Sequence, residues 1–303
     1  MAEGPDGVLL LDKPAGFSST QALARAKRFL AARKAGHTGT LDPFATGLLP
    51  VVFGEATKFS RFLIDARKSY RATLQLGIET TTGDTEGSVT RSTPCSTVSS
   101  EIDEVLRGFT GVRDQVPPMH SAVRLQGKRL YEFAREGQEV ERAARRIEIT
   151  ALARVEFAGS QLVVDVTCSK GTYVRTLAED IGRALGCGAH LSGLRRTAVG
   201  RFRLEDACDL AELEAGGVDS ARARLLPLEV LVEELPRREG SAEEALRFAQ
   251  GQVLDAPGLG PGDEVAVFAP TGRFVGVGRA EVEGRLAPLR LLATGPSKLP
   301  DFA

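Results

Sequence analysis

Asp42 is the only acid in the run Gly36 to Pro50, GHTGTLDPFATGLLP, beside three glycines, two prolines, three threonines and one histidine. So much backbone punctuation predicts an elaborate ordered loop in place of a helix or a central strand. Gly36, Gly39 and Gly47 admit angles that other residues resist, and Pro43 biases Asp42 away from helical geometry. A carboxylate held still in this way could do chemistry as a nucleophile. It could equally be a turn aspartate capping a nearby backbone N–H.

Two other residues stand where the local pattern could hold a side chain firmly. Tyr70 opens the alternating stretch SYRATLQLG over 69–77, where its spacing also suits a core aromatic. Arg175 stands where an apolar strand, Gln161 to Ser169, runs into the helix signal KGTYVRTLAEDIG. A guanidinium at such a junction can be held firmly, can contact phosphate, or can lie on the surface. Phosphoryl transfer is set aside: in the DKTGT loop of aspartyl-phosphate enzymes the nucleophile stands two residues before TGT, and here Gly36 occupies that place.

The elements that must position these residues follow from the patterning. Val8 to Leu11 predicts a short buried strand, and Ser18, Ser19 or Thr20 a cap for a helix running to Arg33. The tract IETTTGDTEG reads as a surface hairpin loop. Ser99 and Ser100 are candidate caps for a helix over 101–107. Alternating strands at 147–157 and 161–169 follow, and Thr176 with Glu179 predicts a capping box ahead of Leu177, Ile181 and Leu185. Near Asp206 to Leu213 a short helix is expected before a Gly-Gly break. Ser241 with Glu244 predicts another capped helix, followed by three short strands in DEVAVFAP, RFVGVGRA and APLRLLA. Alternating strands among capped helices, without a GxGxxG or Walker loop, predict an α+β fold with a mixed or antiparallel sheet.

Composition narrows the partners. The 303 residues suffice for roughly two domains. No stretch of about 18 apolar residues is available to span a bilayer, and the early apolar run is too short for a secretory signal, so a cytoplasmic protein is expected. Cys95, Cys168, Cys187 and Cys208 form no CxxC pair, and His37, His120 and His190 lie far apart, so reduced thiols and no metal site are expected. The net charge of −1 conceals segregation: Lys13 to Lys34 carries six basic residues and no acid, Thr167 to Arg203 seven basic and two acidic, Leu204 to Glu264 fifteen acidic and five basic. Such segregation permits a basic face for phosphates, and it equally suits solvated helix faces.

The run GHTGTLDPFATGLLP with VVFGEATKFS, together with LDKPAGFSS upstream, resembles the TruB family, the bacterial tRNA pseudouridine-55 synthases. The resemblance spans nearly the whole chain and weakens toward the C-terminus. It implies that Asp42, in GHTGxLDP, is the nucleophile. It implies that Tyr70, matching (K/R)xY, stacks on the target uracil and is the favoured group for proton transfer. Arg175, in KGTYxRxL, would pair with Asp42. Tyr173 and Leu194 would line the pocket, His37 would fill space left by flipped loop bases, and Lys13 in the KPxG segment would act structurally beside the site. Arg195 and Arg196 become candidate tRNA contacts. The block VPPMHSAVRLQGKRLYEFAREG departs from PPxYSAxKxxGxxxYxxAR at His120 and Arg124, and no chemical role is given to His120.

The resemblance further implies a pseudouridine synthase catalytic domain over 1–235, with RNA-binding insertions, and a PUA-type RNA-binding domain over 236–303. The expected activity is isomerisation of uridine 55 in the tRNA T-loop, on a flipped-out base, by a monomer without cofactor or metal. Two alternatives stand beside it: a non-catalytic RNA-binding or RNA-folding protein, which needs only the basic face and the β modules, and a pseudouridine synthase acting on another RNA.

Overall fold

The computed structural model describes residues 4–121, 123–125 and 127–293. The chain opens with strand β1 (Gly7–Lys13) and helix α1 (Ser19–Phe29). Ser18 caps α1 in a full capping box with Gln21, and its two buried alanines, Ala22 and Ala26, let it lie close on the sheet. The helix stops short of Arg33, because Ala31 takes a positive φ of 50° after the cap residue Leu30.

The Gly36 to Pro50 run is only partly loop. β2 (Ala35–His37) and β3 (Thr46–Phe53) take both its ends, antiparallel to each other, and the true loop is 38–45. β3 is a central strand, flanked by β1 and by the later strand 189–199, with Pro50 opposite Leu10. The punctuation reading failed here because LLPVVF is buried throughout, and burial outweighs one missing N–H.

Helix α2 (Arg61–Asp65) is stopped by Lys68, whose buried ammonium donates to the Leu63, Ile64 and Ala66 carbonyls. β4 (Lys68–Leu76) alternates as expected, burying Ala72, Leu74 and Leu76. β5 (Ile78–Thr80) and β6 (Val89–Ser92) form a hairpin, but its loop folds inward and buries Asp84. Helix α3 (Ser99–Phe109) is capped not by a serine but by Glu101, whose carboxylate accepts from the Val98 N–H and the Thr97 hydroxyl.

β7 (Gly111–Gln115), the short pair β8 (Arg124–Leu125) and β9 (Lys128–Arg129), and helix α4 (Leu130–Arg135) lead to the long antiparallel strands β10 (Arg145–Ala158) and β11 (Gln161–Cys168). Helix α5 (Val174–Ala184) begins two residues before the expected cap: Tyr173 occupies the cap position, and the Thr176 hydroxyl is buried without a partner. Gln115 replaces the missing cap by gripping the Tyr173 backbone from both sides, accepting from its N–H and donating to its carbonyl.

β12 (Ala189–Val199) then enters the middle of the sheet, with β13 (Phe202–Arg203) turning back on it. The order is β1-β3-β12-β4-β11-β10-β7, antiparallel except where β12 runs parallel to β3. α3 and α5 cover the core built on β4, β10, β11 and β12. Helix α6 (Leu210–Ala223), capped by Asp209, covers β1 and β3 together with α1, and it is interrupted at the expected Gly-Gly break, where Gly217 leaves helical geometry at φ 69° and ψ −177°.

β14 (Arg237–Glu239), helix α7 (Ala242–Ala249) with its Ser241–Glu244 capping box, and β15 (Leu254–Asp255) precede β16 (Glu264–Phe268), β17 (Phe274–Ala280) and β18 (Arg285–Leu291). These strands form a five-stranded sheet in the order β14-β16-β17-β18-β15, the small β unit expected at this end. Its inner face joins the core of the first sheet: Phe268 and Phe274 share one cluster with Leu48, Val52 and Phe59. Cys95 and Cys187 are free thiols whose sulfurs lie 3.0 Å apart, a proximity that no sequence spacing announces. No described helix is long and apolar enough to cross a membrane.

Candidate active site

Asp42 sits in the loop between β2 and β3, which is anchored from three directions. Ser19 Oγ accepts from the Leu41 N–H at 2.8 Å, Thr38 bonds the Pro50 carbonyl, and Lys13 Nζ reaches the Pro43 carbonyl at 3.3 Å while also donating to Pro14 and Phe17. Lys13 is fully buried and touches backbone only, as a structural residue would. Burial lowers its pKa to about 8, against the pull of Asp42.

Arg175, in the first turn of α5, is buried, and each guanidinium nitrogen has a partner. Nε lies 3.0 Å from Asp42, Nη1 donates to the Thr82 carbonyl at 3.0 Å and stands 3.4 Å from Asp84, and Nη2 donates to the His120 carbonyl at 2.8 Å. The arginine therefore cannot swing away from Asp42 without breaking three other contacts. The His120 contribution is a main-chain carbonyl, which any residue supplies, so the departure from tyrosine leaves this bond intact.

Asp84 is the site residue that sequence reasoning passed over. It is 2% exposed, and its carboxylate accepts from the Thr82 hydroxyl and the Glu86 N–H. The available signal was an acid in a Thr/Gly-rich turn, the same composition that drew attention to Asp42.

Asp42 keeps 34% of its side-chain surface exposed while Arg175 keeps 6%. An arginine partner lowers an aspartate's pKa, yet the net shift of Asp42 is upward. Burial raises it most, Arg175 pulls it down, and Asp84 pushes it up again.

Tyr70, Phe44 and Leu194, partly buried, pack against the core built on β4, β11 and β12. Burial raises the Tyr70 pKa, while the charge of Arg196 acts the other way. His37 is partly buried with Nδ1 unpartnered, and burial followed by the Arg196 charge lowers its pKa. Tyr173, at the head of α5, is partly exposed.

The two arginines of β12 part company. Arg195 is exposed and forked onto Asp12, with a further bond to Thr46 Oγ1. Arg196, expected to contact tRNA, is 1% exposed and donates to the Leu48 and Gly39 carbonyls, so it cannot present its charge to a phosphate. Alternation along β12 sends neighbouring side chains to opposite faces, and charge counting cannot see this. With Lys13, Arg175 and Arg196 buried, the basic face is narrower than the sequence tally; Arg25, Arg28 and Lys34 remain exposed on and after α1.

The fold that carries this arginine and carboxylate is shared with chains of solved structure. The chain superposes on a chain of the Cbf5-Nop10-Gar1 complex with a TM-score of 0.73 and 28% identity, covering 95% of this chain and 85% of that one. It superposes equally on a chain of an H/ACA RNP bound to a substrate RNA containing 2′-deoxyuridine, with a TM-score of 0.72 and 27% identity over 95% and 85%.

The sequence is more specific. Residues 27–174 match the TruB family pseudouridylate synthase N-terminal domain, 175–233 the tRNA pseudouridylate synthase B C-terminal domain, and 240–292 the pseudouridine synthase II TruB C-terminal region. The tRNA pseudouridine synthase B of Aromatoleum aromaticum is 52% identical over 95% of this chain and 93% of its own, and that of Thiobacillus denitrificans 53% over 95% and 96%. This chain belongs to the TruB family.

Proposed function

We propose that the chain isomerises uridine 55 in the T-loop of tRNA to pseudouridine, with Asp42 as the nucleophile on a flipped-out base. Conversion of a tRNA uridine to pseudouridine is the activity its TruB membership carries. The observation that supports Asp42 in particular is its pairing with Arg175 while a third of its own surface stays open.

The reaction breaks the C1′–N1 bond, turns the base, and rejoins it through C5, with N1 gaining a proton and C5 losing one. No electrons enter or leave the base, so the chemistry requires no redox cofactor. An ionised carboxylate acts at the ribose, by attack on C1′ or by taking the proton whose loss gives a glycal. Tyr70 is the candidate to take the C5 proton, and its ring offers a stacking face that offsets the few kcal/mol of base extrusion. Tyr173, Leu194 and Phe44 complete the wall of the pocket, and His37 occupies the space the extruded base leaves.

In this reading the T-stem-loop lies across Arg25, Arg28, Lys34 and Arg195, so affinity falls as salt rises. The catalytic domain expected over 1–235 and the PUA-type RNA domain expected over 236–303 are taken as the two working parts, residues 1–3 and 294–303 lying outside the described residues. The chain works as a cytoplasmic monomer.

The test is incubation of unmodified tRNA transcript with wild type and with Asp42→Asn, followed by mapping of pseudouridine. Product at the T-loop uridine with wild type alone is expected. Product from neither protein, with tRNA still bound, would move the chain to a non-catalytic RNA-binding role.

A further inference from the structure

Arg196 is the largest of the fully buried side chains, and it is a cation. Among the described residues no carboxylate forms an ion pair with it; its guanidinium donates to backbone carbonyls, with Nε 2.6 Å from Leu48 O and Nη2 3.1 Å from Gly39 O. An arginine this deep without an acid is expensive to bury, and an apolar residue would fill the space more cheaply. Its surroundings suggest why it is there. Arg196 lies directly across from Tyr70 in the β12–β4 register and beside Gly47 in the β12–β3 register. Gly39, three residues before Asp42, takes a φ of 142°, and a Cβ there would come within 3.5 Å of Arg196 Nη1. At Gly47 a Cβ would fall 2.3 Å from the Arg196 carbonyl oxygen, so only glycine lets β3 approach.

We infer that Arg196 is a positioning residue for the isomerisation: one buried guanidinium, lying across the β12–β4 register from Tyr70, locks the backbone of the Asp42 loop to β3. The inference rests on the reading that Asp42 and Tyr70 act on the uridine. The planar fork suits this task, because it donates in two fixed directions at once, to Gly39 on one side of the loop and to Leu48 on β3. Its charge is the second part of the role. A cation fixed beside the phenol favours the phenolate, and Tyr70 feels it against the opposing effects of burial, Cys168 and Asp42. The other groups facing Arg196 respond consistently: the protonated forms of Lys13 and Lys68, and of His37 in the loop, are each disfavoured by it. A tyrosine that must accept a proton is served by such a neighbour, whereas a stacking ring alone has no use for it.

Arg196→Met and Arg196→Lys separate the charge from the fork. The single-turnover rate of pseudouridine formation should fall on the order of 100-fold in Arg196→Met, the scale of a small misplacement of catalytic groups, while tRNA affinity stays within about twofold. Arg196→Lys keeps the charge and should recover part of the loss.

A readout independent of activity is the ionisation of Tyr70. The chain has three tyrosines and no tryptophan, so phenolate absorbance is readable, and Tyr70→Phe assigns the signal. Replacing all three tyrosines with a more acidic fluorotyrosine keeps the titration within the folded range. The Tyr70 signal should move to higher pH in Arg196→Met and move back toward wild type in Arg196→Lys.

Folded Arg196→Met with wild-type turnover, or with an unmoved Tyr70 titration, overturns the inference. If Arg196→Met does not fold, the same two readouts on Arg196→Lys decide. A wild-type protein that makes no pseudouridine overturns the proposed function instead, and the titration still reports on Arg196.

Discussion

Arg175 Nε lies 3.0 Å from a carboxylate oxygen of Asp42, and the rest of the guanidinium is occupied by Asp84, Thr82 and His120. The aspartate is thus aimed by a partner that is itself immobilised, and preorganised charge of this kind needs no rearrangement when the reaction begins.

The direction of the Asp42 shift gives a pH prediction. Burial raises its folded pKa above the ordinary ~3.9, so the ionised form is lost at a higher pH than for an exposed aspartate. The single-turnover rate should therefore have an acid limb above pH ~4 that rises with increasing pH. A rate that stays flat down to pH 4 would falsify this assignment. The same sign means that stability is lost as Asp42 ionises, so Asp42→Asn should melt no lower than wild type at neutral pH while making no product.

Arg175→Lys keeps the charge but cannot reach Asp42, Thr82, Asp84 and His120 together. Product formation should drop on the order of 100-fold with tRNA affinity preserved. Pre-steady-state kinetics and a filter-binding titration separate the two; parallel loss of both would show that the arginine serves binding instead.

Asp84→Ala removes a carboxylate that is 2% exposed and leaves the Arg175 charge less compensated. Losing one partner of a buried pair costs about 3–5 kcal/mol, and urea denaturation should find a loss of that order together with reduced turnover. An unchanged urea midpoint would mean that the inward fold of the β5–β6 loop is not held by this contact.

Lys13 offers a second pH test. Its folded pKa is lowered to about 8, so between pH 8 and the ordinary lysine value of ~10.4 the unfolded chain binds more protons than the folded one. Stability from this group rises with pH across that window and falls away below it. The stability difference between wild type and Lys13→Met should shift in favour of wild type from pH 8 to 10; a constant difference would contradict the burial of its ammonium.

Phe274 of β17 meets Phe59 edge-on at 5.2 Å between ring centroids, inside the cluster shared by the two sheets. Phe274→Ala should cost about 3–5 kcal/mol and loosen both sides of that cluster. Hydrogen exchange should show faster opening of β3 as well as β16; protection changes confined to the C-terminal sheet would show that the shared core does not couple them.

Much of this protein was legible in the residues themselves. Local signals act over three or four positions, so the Ser18 and Ser241 caps, the alternation of β4 and the C-terminal strands followed from spacing, and the motif around Asp42 carried the family. What spacing could not supply was decided by burial and by contacts between distant segments. β3 is a central strand despite its proline because both its faces are covered, and Thr176 is no cap because Gln115, 58 residues from Tyr173, already holds the start of α5. Asp84 joins the site only when its loop folds onto Arg175, 91 residues further along the chain. Arg195 and Arg196 are identical in sequence; the pleat of β12 sends one to solvent and the other beneath the site, because a side chain's role depends on which face of the sheet the tertiary structure covers.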